Sequence, residues 1–149
     1  MAKRAGVYGA KGVQSAFRQM AKLYSTPVGQ ASRFALQPIL KAAKQNTAHE
    51  SVKGALVLKK DRKAPKTNPT HLVGGDPANP DYRLLHLLEF GVDPHSINGI
   101  QHPGHAAQPF LTPAYEAHGK EAIERFGKKL GPALEKQAAK LARKAGGGR

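Results

Sequence analysis

Four histidines and one glutamate fall between residues 86 and 105, and these are the side chains best suited to chemistry. His95, His102 and His105 share one segment, and His86 precedes it. Three imidazoles could in principle hold zinc, for which neutral histidine nitrogen is a common ligand. The usual local signatures are missing, however: there is no His-Glu-x-x-His and no Cys/His pattern. The segment is also broken by proline and glycine, so no helix fixes the spacing of its rings. The expectation is therefore no metal or other cofactor, with His95, His102 and His105 as the only metal candidates. A loop packed on a neighbouring subunit, sensitive to pH as its histidines gain charge, is the simpler reading. Glu89 lies among Leu87, Leu88 and Phe90. A carboxylate in apolar surroundings can become a base with a raised pKa. Yet no nucleophile or second carboxylate stands at a defined spacing from it. Glu89 is expected to cap backbone amides or pair with a cation, and Gly91 to serve backbone geometry. No catalytic residue is assigned.

The elements that must position these residues read as follows. Val13, Phe17, Met20 and Tyr24 recur at helical spacing. Ser25-Thr26-Pro27 should interrupt that helix, with Thr26 as an N-cap and Pro27 in a new first turn. A second helix is expected over 27–45, with Phe34, Leu36, Ile39, Leu40 and Ala43 on its apolar side. Pro38 should kink or restart it, and Asn46-Thr47-Ala48 should close it. Residues 55–60 have strand composition, the basic, proline-broken 61–70 segment reads as a loop, and 71–74 as a second short strand. A turn over 75–80 leads into Tyr82–Phe90, which could be a short helix or a buried strand. A long loop over 92–107 follows. Gln108, Pro109 and Phe110 dock its far end, with Phe110 and Leu111 as core anchors. Thr112 should cap the last helix and Pro113 open it. Ile123, Phe126, Leu130, Leu134 and Leu141 trace its apolar stripe, and Gly131-Pro132 should bend or split it.

The 149 residues suit one domain, and the fold class expected is α+β: a small antiparallel sheet packed with N-terminal helices and a long, Gly-Pro-interrupted C-terminal helix. The division expected is a basic mobile arm over 1–12, a single domain over 13–144 and a flexible tail over 145–149. The chain has no cysteine, which excludes disulfides and thiolate chemistry. No apolar run approaches a membrane span, and the basic start lacks the apolar core of a secretory signal. Only 6% of residues are aromatic and none is Trp, so the core should be thin. The charge of +14 needs an explanation in nucleic acid phosphate or an acidic protein surface.

An ordered set of short motifs gives a further pointer. Gln37-Pro38-Ile39-Leu40-Lys41-Ala42-Ala43-Lys44 is an Ala-rich helix containing proline. Gly54-Ala55-Leu56 steps into a strand. Leu88-Glu89-Phe90-Gly91 ends an apolar run, and Gln108-Pro109-Phe110-Leu111-Thr112-Pro113-Ala114 starts a helix. In this order and spacing the chain resembles the tail-completion or neck family of lambda-like siphophages, the gene-product-ten-like head–tail joining proteins. Val92 departs from the threonine that follows Glu-Phe-Gly in that family. The resemblance covers most of the chain. It implies a non-enzymatic virion protein, assembled in the bacterial host cytoplasm, that forms or completes a homo-oligomeric ring at the head–tail junction. Its partners would be further copies of itself and neighbouring neck, tail-terminator, tail-tube or head-completion proteins. Glu89, Phe90, Gly91, Gln108, Pro109, Phe110 and Pro113 become structural or interface candidates.

Two other functions compete. Charge alone fits a small, basic, non-specific DNA-binding protein, with Arg125, Lys128, Lys129, Lys136, Lys140 and Arg143 as its basic face. A solvated helix face explains the same residues equally simply. Within a neck, that face could meet acidic protein or touch the passing genomic DNA through its phosphates, since no sequence-reading motif is present. A metal-dependent hydrolase built on the histidines is the third.

Overall fold

A computed structural model describes residues 10–146. Its order is α1 (Ala10–Asn46), α2 (Glu50–Ala55), β1 (Leu56–Lys60), β2 (His71–Gly75), α3 (Tyr82–Phe90), β3 (His95–Ile97), β4 (Ile100–His102) and α4 (Leu111–Gly146). This is an α+β arrangement of four helices and two small antiparallel sheets of two strands each.

The two long helices pack on each other and form the main body. On α1 the buried positions are Ala31, Ala35, Ile39 and Ala43, each four residues from the last. On α4 they are Ala114 and Ala122, with Phe126 half-buried against the same cluster. Small side chains at this spacing let two helices approach closely along one stripe.

That packing overrides the expected helix breaks. Pro27 and Pro38 both lie inside a single α1, so the interruption at 25–27 and the separate N-terminal helices do not occur. Each proline removes one amide donor at a cost of about 3 kcal/mol. Pro27 is itself buried, and Ser25 Oγ donates to the Lys22 carbonyl at 2.8 Å in the turn just before it. Pro132 likewise lies inside an unbroken α4. Helix α1 takes in residues 10–12 of the expected arm, and α4 takes in residues 145–146 of the expected tail. The remainder of the arm and tail, residues 1–9 and 147–149, lies outside the described residues, as do the side chains of Val13 and Phe17.

The stripe on α4 also shifts. Ile123 is 75% exposed, and Ala122 takes the buried place, in line with Ala114, Phe126, Leu130 and Leu134. A pattern of large apolar residues misses a core built on alanine. Phe34 stands at the edge of the interface, with the Arg125 guanidinium 4.4 Å from its ring centre and the Lys129 ammonium 5.5 Å from it.

Strands β1 and β2 pair from Leu56↔Gly75 to Lys60↔His71, as their alternating composition implies, and both rest on α1. Helix α2, which the sequence does not announce, brings Val52 and Ala55 into the core. The open choice for Tyr82–Phe90 resolves as a helix, with Leu85 and Glu89 inward and Leu84, Leu87 and Phe90 outward. The expected loop over 92–107 holds a hairpin, β3–β4. Its turn is Asn98-Gly99, with φ of 52° and 82°. Positive φ at both central residues matches the right-handed twist of the strands, and Asn-Gly is the pair that adopts it most readily.

Candidate functional site

The ends of four helices meet around one buried carboxylate. Glu89, 8% exposed at the end of α3, accepts four hydrogen bonds from the start of α4. Its Oε2 takes the amides of Phe110 and Leu111, each at 2.9 Å. Its Oε1 takes the Thr112 amide at 2.8 Å and the Thr112 hydroxyl at 2.6 Å. The first turn of any helix leaves its N–H groups without partners and carries partial positive charge. Glu89 meets both needs from a distant part of the chain. Burial pushes its pKa up, but the Thr112 hydroxyl and the amides of Leu111, Phe110 and Thr112 outweigh burial and hold it below the ordinary value. Its arrangement is that of an ionised cap on backbone amides, one of the two roles expected of it.

Thr112 is thereby reassigned. Helix α4 starts at Leu111, so Thr112 sits in the first turn and Pro113 is its third residue. The cap comes from Glu89 in place of Thr112, because a carboxylate reaching in from α3 can accept from several donors at once.

Neighbouring contacts close the junction. The Gln108 amide donates to the Leu88 carbonyl at 2.7 Å, and Gln108 Oε1 lies 3.2 Å from His49 Nε2. Asn46, the last residue of α1, donates through Nδ2 to the Phe110 carbonyl at 3.1 Å. The Phe110 ring is 2% exposed, among the largest fully buried side chains, in line with its role as a core anchor. Pro109 is exposed and Pro113 half-buried. Asn46 and His49 carry no local signal of these roles, since their partners lie 64 and 59 residues away.

Gly91 makes the exit from α3. Its φ of 75° and ψ of 179° belong to a region that is essentially glycine's alone. A Cβ there would stand 2.7 Å from the Ala107 nitrogen and 2.9 Å from the His105 carbonyl oxygen. The two sides of the segment are then tied by the Val92–His105 bridge, with both amide bonds at 2.9 Å. The hairpin beyond it is exposed throughout, and Ile97 and Ile100 are 53% and 73% exposed. Phe90, beside the buried Glu89, is 67% exposed, and its ring is tilted 55° against that of His86 with centres 4.9 Å apart.

The histidines separate. His95 and His102 face each other across the hairpin, with ring centres 5.0 Å apart. The His102 Nδ1 accepts the Gly104 amide at 3.0 Å, while His95 Nδ1 is 2.8 Å from the Asp93 carbonyl and His105 Nδ1 is 3.1 Å from the Ala106 carbonyl. Each ring is thus bound to its own stretch of backbone. Among the described residues no three His, Asp or Glu side chains form a group that could hold a metal ion.

The basic candidates on α4 divide. Arg125 pairs with Glu121 at 3.3 Å and packs on Phe34, so it braces the two helices. Lys128, Lys129, Lys136, Lys140 and Arg143 are exposed. His118 Nδ1 and Glu121 Oε2, 2.9 Å apart, extend the same surface chain. A second group of cations, Arg33, Lys60 and Lys66, lines a cleft beside α1. The basic run in the 59–66 segment hints at it, but Arg33 is brought there only by the fold. Among the described residues no helix is long and apolar enough to cross a membrane.

No family model, curated protein or solved structure matches the chain.

Proposed function

We propose that this chain is a structural, non-enzymatic protein of a tailed-phage virion that forms or completes an oligomeric ring at the head–tail junction. Its work is tail completion and head–tail joining. The observation that carries this reading is the convergence of the motif residues. Leu88-Glu89-Phe90-Gly91 and Gln108–Ala114, two pieces of the ordered motif set, form the two sides of one junction. Their roles there are capping, packing and chain reversal, which are the roles a scaffold needs. Between them the chain projects a hairpin whose two isoleucines lie in water. Single exposed apolar residues are ordinary, but a pair at a hairpin tip suits contact with a neighbour. The partners proposed are further copies of the chain and adjoining neck, tail-terminator, tail-tube or head-completion proteins.

Removing residues 93–106 tests this directly. The Ala107 nitrogen lies only 2.7 Å from the Cβ position of Gly91, so a short link can close the gap. The shortened chain should keep its helical circular dichroism and its cooperative melt, yet fail to join heads to tails. Normal joining by that variant would contradict the assembly role of the hairpin.

A further inference from the structure

A cleft of about 290 Å³ opens between the middle of α1 and the loop joining β1 to β2. It is lined by Thr26, Gln30 and Arg33 from α1, Lys60 from the end of β1, Lys66 from the loop and His71 from β2, among others. No Asp or Glu lines it. Among the described residues, Arg33, Lys60 and Lys66 form no ion pair. Three cations from three parts of the chain therefore face one space without a carboxylate to offset them.

The fold holds these cations in place. Pro69 is buried, and its Cγ lies 3.3 Å from the Cβ position of Gly29, so the absence of a side chain there lets the loop settle on α1. The His71 amide donates to Ser32 Oγ at 3.1 Å, and the Asp61 amide donates to the Thr70 carbonyl at 2.9 Å, which closes the base of the loop. His71 Nδ1 is buried and has no hydrogen-bond partner. Burial lowers the pKa of His71, and the positive fields of Arg33 and Lys60 lower it further. The ring is thus held neutral beside cations that no carboxylate offsets, and an oxyanion in the cleft would relieve their mutual repulsion.

We propose that this cleft binds a backbone phosphate of nucleic acid, without reading sequence. Room is ample, since a water takes about 30 Å³ of liquid volume. Arg33 supplies a planar fork of donors suited to phosphate, Lys60 and Lys66 supply point charges, and Thr26 and Gln30 can add neutral donors. A second cleft shares Lys60 and Lys66 and adds Lys59 and Arg62, so the path continues toward a neighbouring phosphate. That second cleft also contains Asp61 and Asp76, which places the stronger anion site in the first. An acidic protein would present carboxylates, but protein interfaces centre on buried apolar and aromatic anchors, and Pro69 is the sole aliphatic side chain that lines the first cleft. Phosphate contacts alone suffice for binding without sequence preference. This inference stands whether or not the chain belongs to a phage neck.

The test measures binding to a short DNA duplex across a salt series. Arg33→Gln combined with Lys60→Gln should weaken binding about tenfold near physiological salt and reduce the salt slope by roughly 0.9, the change for one phosphate left without its cations. Lys136→Gln combined with Lys140→Gln should change the slope far less. Equal weakening in the two double variants would overturn the site in favour of dispersed charge. A polyglutamate that displaces the duplex at equal charge concentration would overturn the nucleic acid assignment in favour of an acidic protein. The unaltered protein gives an independent reading, which also decides the matter if the first pair fails to fold. Added inorganic phosphate should move the His71 ring resonances and raise the His71 pKa, while His86 stays in place. A His71 signal unmoved by phosphate and by duplex would overturn the proposal.

Discussion

Phe110→Ala should destabilise the protein by about 3–5 kcal/mol, the range for removing a buried aromatic ring. The ring is fully enclosed, and it sits where the segment after the hairpin enters α4. Its loss removes packing from a cluster that contains Ala35, Ile39, Val52, Leu56 and Leu85, most of them small or medium side chains. Such a core has few large groups able to move into a cavity. For a chain of this size the melting temperature should fall by roughly 10 °C. Phe110→Leu should cost less, because it refills part of the volume. Unchanged melting of Phe110→Ala would refute the anchor role.

Glu89→Ala should cost about 3 kcal/mol. It removes an ionised cap, and a hydrogen bond to a charged group contributes about 1.5–3 kcal/mol net. The donors at the start of α4 would then depend on whatever water can reach them. The pH dependence follows from the lowered pKa of Glu89. A carboxyl with a depressed native pKa contributes stability that is present above its unfolded value, about 4.3. That stability is lost as pH falls through the native value. Unfolding by urea at a series of pH values should therefore show stability declining in acid below about pH 4.3. Glu89→Gln keeps the shape but has no proton to take up, so its acid decline should be shallower than that of the unaltered protein. Identical acid profiles would show that Glu89 is not the ionised cap.

These two residues also mark how far the chain is legible from its sequence. Phe110 between two prolines and Glu89 in an apolar run both announce structural roles through their immediate neighbours. The second strand, the 61–70 loop and the long last helix are legible for the same reason, since each is set by local composition. What is not legible depends on partners far away. The prolines of α1 and α4 imply broken helices, but the α1–α4 contact, built largely on alanine, holds both helices whole. Thr112 has the residue type of a cap, but a carboxylate 23 residues earlier takes the position. The hairpin is a different case. Asn98-Gly99 is a strong local turn signal, and the surrounding prolines and glycines mask it. The cleft at Arg33, Lys60 and Lys66 needs three separate elements side by side, which no spacing rule contains.

In the proposed ring, exposed Phe90, Ile97 and Ile100 would supply apolar contacts, and copies of a chain of charge +14 would have to meet on surfaces where they do not repel. None of its Lys or Arg residues lies between Leu84 and Gly119, the stretch that carries the junction and the hairpin. Contacts between copies through that stretch would bring no Lys or Arg from it against its neighbour, leaving the remaining surface to carry the permanent positive charge.

The molar mass of the purified protein in solution, measured by light scattering at low and high salt with nucleic acid content read alongside, tests the proposed assembly most directly. A discrete multiple of the 15.9 kDa chain that persists in high salt, with any nucleic acid carried at low salt released there, is the expected result. A monomeric mass at both salts, together with no binding of the chain to tail tubes, would contradict it.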